Sequence, residues 1–243
     1  MLVAIHQPNF LPWLGYFDRM VHADLFVLLD HVQFERRNYQ NRTLIRLEDE
    51  ARWLTVPVVQ LSQKERIVEK QVDYSQGEGA RGWGPKSFQT LRFAYRKAPF
   101  FELYAPKVRE IFETPWEKLV DLNIATLEFV REALEIRTPM VRSSELSVEG
   151  QRSELLLDIC RKLGARAFLG GMGGSRGYLD HEAFIAAGMG VEWQQFHSPQ
   201  YPQCGAGAFI GGLSALDLLF NCGPKSREIV WQSTVKPDAL LAA

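Results

Sequence analysis

The sequence predicts an α/β fold: a parallel-sheet, Rossmann-like core with a helical middle section. Three observations predict it. Near the N-terminus, two short apolar runs, Leu2–Ile5 and Leu25–Leu29, flank a helix-like stretch, the order that opens a βαβ unit. From Lys86 to about Leu134 the apolar residues recur every three to four positions, the helical period. Later, Ala167-Phe168-Leu169 runs into Gly170-Gly171-Met172-Gly173-Gly174, a strand emptying into a glycine turn.

Taken in order, Leu2-Val3-Ala4-Ile5 is a partly β-branched run that stops at Pro8, as a buried strand opening into a loop does. Pro12 and Gly15 bracket Trp13, and a helix is expected from about Tyr16 to His22. Asp24 precedes the second strand, which ends at Asp30. Trp53–Val59 reads as a third strand whose internal Pro57 places it at an edge or a strand end. Glycines 77, 79, 82 and 84 mark a long loop or lid over 75–86. Pro99 and Pro115 divide the middle section into separate helices. Ser144 is expected near the start of another helix, and Ser153–Leu163 puts Leu155, Leu156, Ile159 and Leu163 on one helical face. A final helix near Leu213–Phe220 stops before Gly223 and Pro224. The 243 residues are read as one domain, with a helical subdomain over about 86–135.

Composition excludes several classes of function. Hydrophobic residues at 46% and charged residues at 23% exclude a disordered chain. With 28 basic and 29 acidic residues, nothing pulls the protein toward nucleic acid or an anionic membrane. Apolar runs such as Leu25–Leu29 fall far short of the ~20 residues of a membrane span. The N-terminus lacks a basic region and a small-residue cleavage site, so no secretory signal is expected. Cys160, Cys204 and Cys222 are odd in number and widely spaced, so neither a disulfide framework nor a cysteine zinc site is expected. The five histidines are scattered without metal-ligand spacing, and no metal is expected. A cytoplasmic protein with no nucleic-acid partner follows.

Four stretches carry the residue types of a site. The first, His6 to Tyr16, leaves the carboxyl end of a strand, where open α/β sheets place ligands. Gln7, Asn9 and Trp13 suit a polar ligand there, and His6 is a candidate general base; a proline-bracketed turn is the plainer reading. In the second, Gln33, Arg37, Asn38, Tyr39, Asn41 and Arg42 combine guanidinium forks that match phosphate or carboxylate oxygens with amides and a stacking ring. Its alternative is a solvated charged face. In the third, Gly171 and Gly173 let backbone N–H groups approach an anion, with Arg176 to neutralise it and Tyr178 close by. This loop is neither the dinucleotide fingerprint nor a P-loop, and a flexible strand-to-helix turn is the other reading. The fourth, Gln194–Gln203, carries His197, a second candidate catalytic residue, and Tyr201. Cys204 follows as either a thiol nucleophile or a small hydrophobe. Asp217 and Asn221, one turn apart, share a cleft or cap surface groups.

These residues are more than a collection of polar loops. The blocks Ile5–Phe17, Asp30 with Val32-Gln33-Phe34, Arg37–Arg42, Trp53–Pro57, Tyr95–Phe101, Gly170-Gly171 with Tyr178-Leu179-Asp180, His197-Ser198-Pro199 with Tyr201, and Leu213–Asn221 resemble the WbqC-like protein family over nearly the whole chain. Where similar members carry a Lys-His pair after the glycine-rich loop, Lys86-Ser87 stands here, so no role of that histidine transfers. The resemblance implies a transferase of surface-polysaccharide biosynthesis that places an acyl or aminoacyl group, glycyl in type, on the amine of a nucleotide-linked amino sugar. It implies a small-molecule nucleotide sugar as partner and leaves the donor open among ATP-dependent activation, an acyl thioester and a carrier protein. A more distant likeness, Gln7-Pro8-x-x-x-Pro12-x-x-Gly15 between strand and helix, is to nucleotidyltransferase-like folds that include adenylate-forming ligases. Tyr16 stands where those enzymes carry histidine. Adenylation, nucleotidyl transfer or plain nucleotide-sugar binding are therefore the alternatives.

Overall fold

A computed structural model describes residues 1–243 except 76, 78, 80, 81, 172, 174 and 241–243, and gives the backbone alone for 175, 233 and 235–240. Its centre is a six-stranded sheet. β1 (Leu2–His6) pairs in parallel with β2 (Leu25–Leu28) on one side and β6 (Ala167–Gly170) on the other. β5 (Met140–Arg142) extends the sheet beyond β2, and β7 (Gly190–Phe196) lies beyond β6, both parallel. β8 (Thr234–Leu240) adds an antiparallel edge, giving the order β5-β2-β1-β6-β7-β8. The chain fills one half of the sheet from β1 outward, returns, and fills the other half. The carboxyl ends of β1 and β6 therefore border a topological switch point, the place where such sheets bind ligands.

The strands are apolar on both faces because helices cover both. Ala4, Phe26, Leu28 and Leu169 face the larger core, built with α1 (Leu14–His22), α2 (Trp83–Tyr95), α3 (Phe101–Glu113), α4 (Leu119–Ala133) and α8 (Ala215–Cys222). Val3, Ile5, Val27, Phe168 and Val191 face a smaller one under α5 (Ser153–Lys162) and α7 (His181–Ala186), the one-turn α6 (Ser175–Tyr178) preceding α7. The alternation of side chains along β1 thus divides the two layers. A separate antiparallel hairpin, β3 (Arg42–Leu47) with β4 (Glu50–Thr55), stands beside the helical layer.

The parallel core and the proline-divided helices are as the sequence predicts, with four corrections. β4 ends at Thr55, before Pro57, whose missing N–H cannot extend a ladder. Ser144 lies in a 3₁₀ turn, Ser143–Glu145. Gly223, at φ +57°, does end α8, but the chain turns at once through Gly223–Lys225 into α9 (Ser226–Ser233) and then β8, so α8 is not the last element. Gln194 and Gln195 belong to strand β7, not a loop. The expected loop over 75–86 falls partly outside the described residues, and α2 begins within it. Among the described residues no helix is long and apolar enough to cross a membrane.

Candidate functional site

At the switch point lies a cavity of about 270 Å³, lined by Ile5, His6 and Gln7 from the end of β1, Arg19 from α1, Glu35 and Asn38 from the polar loop, and Gly171, Gly173 and Tyr178 beyond β6. Three of the four stretches singled out by sequence meet here. They do so because the β1 and β6 ends are neighbours in the sheet, while the loop after β2 folds back across them.

Gln7 is the pivot. Its carbonyl accepts from His6 Nδ1 at 2.9 Å and from the Tyr16 hydroxyl at 3.1 Å, and its Oε1 accepts from Gln40 Nε2 at 2.9 Å. Buried Gln40 in turn accepts from the Glu35 N–H at 3.0 Å, fixing the polar loop to the β1 end. A carbonyl beside Nδ1 makes that nitrogen the donor, so the neutral ring keeps its Nε2 lone pair for a ligand. Burial, and then the nearby Arg19 charge, lowers the His6 pKa from 6.5 to about 3. His6 is therefore neutral at physiological pH.

Arg19 sits in a helix buried from Leu14 to Met20. Its Nε donates to Gln194 Oε1 at 3.1 Å, and Gln194 Nε2 donates to Asp18 Oδ2 at 2.5 Å and to the Gly15 carbonyl at 2.7 Å. The guanidinium rests against the backbone of Gly171: a β-carbon there would stand 1.8 Å from Nη2. Burial lowers its pKa to about 10, which leaves it charged. At the rim, Asn38 Nδ2 donates to Glu35 Oε2 at 2.6 Å, and Tyr178 is half exposed. A series of rings leads outward: Trp13 edge-on at 5.9 Å from His6, Tyr39 tilted at 5.0 Å from Trp13, and exposed Trp53 edge-on at 5.3 Å from Tyr39. Arg42 lies 3.9 Å over Trp53.

The remaining sequence candidates lie elsewhere. Asn9 is buried. Gln33 donates to the Gln63 carbonyl, and Asn41 Nδ2 to the Val56 carbonyl. Arg37, at φ +60°, is exposed and lines a different cavity with Arg36 and Phe34, and its carbonyl accepts from Arg42 Nη2. Exposed Arg176 has its guanidinium 5.5 Å from the Trp193 ring. His197 is exposed beyond the end of β7 and does not line the switch-point cavity.

Tyr201 belongs to a second polar centre around Asp217, whose outer residues Arg46, Asp49 and Cys204 line a cavity of about 210 Å³. Gln203 Nε2 and the Tyr95 hydroxyl donate to the two Asp217 oxygens at 2.7 and 3.0 Å. Buried Arg46 donates to Asp49 through Nε and Nη2, and to Gln203 Oε1 and the Ala208 carbonyl through Nη1. Asn221 caps the Cys204 N–H at 2.7 Å. Burial, followed by the Asp217 charge, raises the Cys204 pKa, which keeps it a thiol.

Arg19 and Glu35 are the cavity residues that sequence reasoning did not single out. For Arg19 a signal exists: Asp18-Arg19 interrupts Leu14–Val21, a helix apolar on all sides, and a charged pair inside such a helix is either satisfied within the core or aimed at a ligand.

The WbqC-like protein family matches residues 7–229. "Uncharacterized protein Rv1507c" of Mycobacterium tuberculosis is 29% identical over 226 residues, covering 92% of this chain and 95% of its own. No solved structure matches.

Proposed function

The chain belongs to the WbqC-like protein family, and from that premise we propose that it transfers an acyl or aminoacyl group, glycyl in type, to the amine of a nucleotide-linked amino sugar in surface-polysaccharide biosynthesis. The observation that carries this reading is the meeting of a neutral imidazole, a guanidinium and a carboxylate in one cavity: His6, Arg19 and Glu35. An attacking amine forms the new C–N bond as the donor's acyl–heteroatom bond breaks and its leaving group departs with the electron pair. The proton the nitrogen sheds goes to His6 Nε2, a base weakened by burial and the Arg19 charge and strengthened when a ligand anion offsets that charge. Glu35 draws an ammonium to the rim, and Trp13 and Tyr39 offer ring faces to sugar or base. His197 takes no step in this scheme. We read residues 1–243 as one cytoplasmic domain, with the helices of 86–135 as its cover.

The test is a thermal-shift panel of nucleotide-linked sugars with and without a free amine, ATP with magnesium, and acyl-coenzyme A, followed by turnover assays on the ligands that bind. Stabilisation by the amine-bearing sugar, with transfer reduced about 10²–10⁴-fold in His6→Asn at preserved affinity, supports the reading. Stabilisation by ATP alone replaces it with adenylation or nucleotidyl transfer. Sugar binding without turnover, given either donor class, replaces it with a non-catalytic binding protein.

A further inference from the structure

We infer that Arg19 is the seat of a phosphate group, held by the outer edge of its guanidinium and preset for that task by Gln194 and Gly171. The inference deepens the reading above and rests on it for the identity of the whole ligand, not for the anion.

Three observations carry it. First, Arg19 is buried, yet among the described residues only one acceptor, Gln194 Oε1 on Nε, reaches its guanidinium. Nη1 and Nη2 have no hydrogen-bond partner there, and no described carboxylate forms an ion pair with Arg19, although Asp18 is its sequence neighbour. Asp18 Oδ2 is already taken by Gln194 Nε2. A cation whose stem is buried and whose two outer nitrogens are left to a cavity, with no described carboxylate set against them, is placed to meet an anion that enters from outside. Second, those nitrogens border the cavity at the carboxyl ends of β1 and β6, not the packed core. Third, the guanidinium lies against the backbone of Gly171, where any side chain would push it aside. A β-carbon at position 171 would meet Nη2 at 1.8 Å, Cζ at 2.5 Å and Nη1 at 2.9 Å. Gly171 and Gly173 bring backbone to the same cavity wall, which suits a tetrahedral oxyanion met by a planar fork and main-chain atoms. Gln194 is the positioning residue. Its two donor bonds, to Asp18 and to the Gly15 carbonyl, fix which way its amide points, and so fix Arg19 Nε.

The experiment is calorimetric titration with inorganic phosphate and with pyrophosphate, acetate as the control anion, while the His6 ring is followed by NMR. Phosphate is expected to bind and to move the His6 ring resonances, because a multiply charged anion entering the cavity that His6 also lines changes the field at the ring. Affinity is expected to fall about 10–100-fold in Arg19→Gln and in Gly171→Ala, and by a smaller factor in Gln194→Leu. Arg19→Lys, which keeps the charge and loses the fork, is expected between wild type and Arg19→Gln. Unchanged phosphate affinity in folded Arg19→Gln overturns the inference. So does a wild-type titration that leaves the His6 ring unmoved, a readout that needs no variant to fold. Acetate binding as tightly as phosphate makes the seat a carboxylate site and overturns the phosphate assignment. Phosphate held at Arg19 without acyl transfer leaves the seat standing and removes the transferase reading alone.

Discussion

Two buried arginines, each bordering a cavity, differ in how far the protein itself satisfies them. Arg46 spends Nε, Nη1 and Nη2 on Asp49, Gln203 and the Ala208 carbonyl, and the network continues through Asp217 to Tyr95. Arg19 spends Nε alone. The acceptors of Arg46 come from its own hairpin and the loop after β7, and Gln203 carries the network on to Asp217 of α8, so it staples three segments that share no backbone ladder. Around Arg19 the acceptors stop halfway, and the remainder faces a cavity. Burial and charge are common to both; the count of unused donors separates structure from binding.

That contrast can be broken most forcefully at Asp217. Asp217→Ala is expected to cost about 3–5 kcal/mol in chemical denaturation, because it leaves the Tyr95 hydroxyl and one of the two Gln203 Nε2 hydrogens without an acceptor, the other keeping the Ile210 carbonyl. A loss under about 1 kcal/mol would show that the Asp217 centre is not a staple. A second effect, spread over several pH units and smaller at any one pH near neutrality, concerns protonation. Between pH 6.5 and about 3 the unfolded His6 imidazole takes a proton that the folded one refuses, so stability falls on acidification by up to about 1.4 kcal/mol per unit. Comparing wild type with His6→Asn across that window isolates the term; parallel curves would contradict the buried, neutral imidazole. The smallest effect is expected at the Arg19 cavity. Arg19→Met should change the stability of the empty protein by no more than about 1 kcal/mol in either direction, since the lost Gln194 bond is offset by removing a desolvated cation. A loss as large as that of Asp217→Ala would erase the distinction.

How much of this was legible beforehand follows the same division. Strands β1, β2 and β6 and helices α3 to α5 announce themselves by apolar period and by proline or glycine ends, signals that a chain carries locally. β7 hides because Gln194 and Gln195 make a strand look like a polar loop; only the position of Asp18, Gly15 and Arg19 gives the Gln194 amide work inside the protein. β5 is three residues long, below what periodicity can register. In the site, His6, Gln7, Asn38, Gly171, Gly173 and Tyr178 stood out as polar or glycine-rich punctuation beside strand ends. Asn41 and Tyr201 looked the same, but long-range partners commit Asn41 to the Val56 carbonyl and place Tyr201 beside Asp217. Whether an amide or hydroxyl is spent or spare depends on residues tens of positions away, and a linear reading does not carry that information.

The end of the sheet opposite β8 has a consequence for behaviour in concentrated solution. β5 offers an incoming strand only Met140, Val141 and Arg142 to pair with, and the arginine is folded back so that its Nε donates to buried Asp30 at 2.7 Å. Ser143 and Ser144 close around the same carboxylate. An edge this short, ending in a tethered charge, is a poor template for another chain, so self-association by strand addition is blunted on that flank without a covering helix.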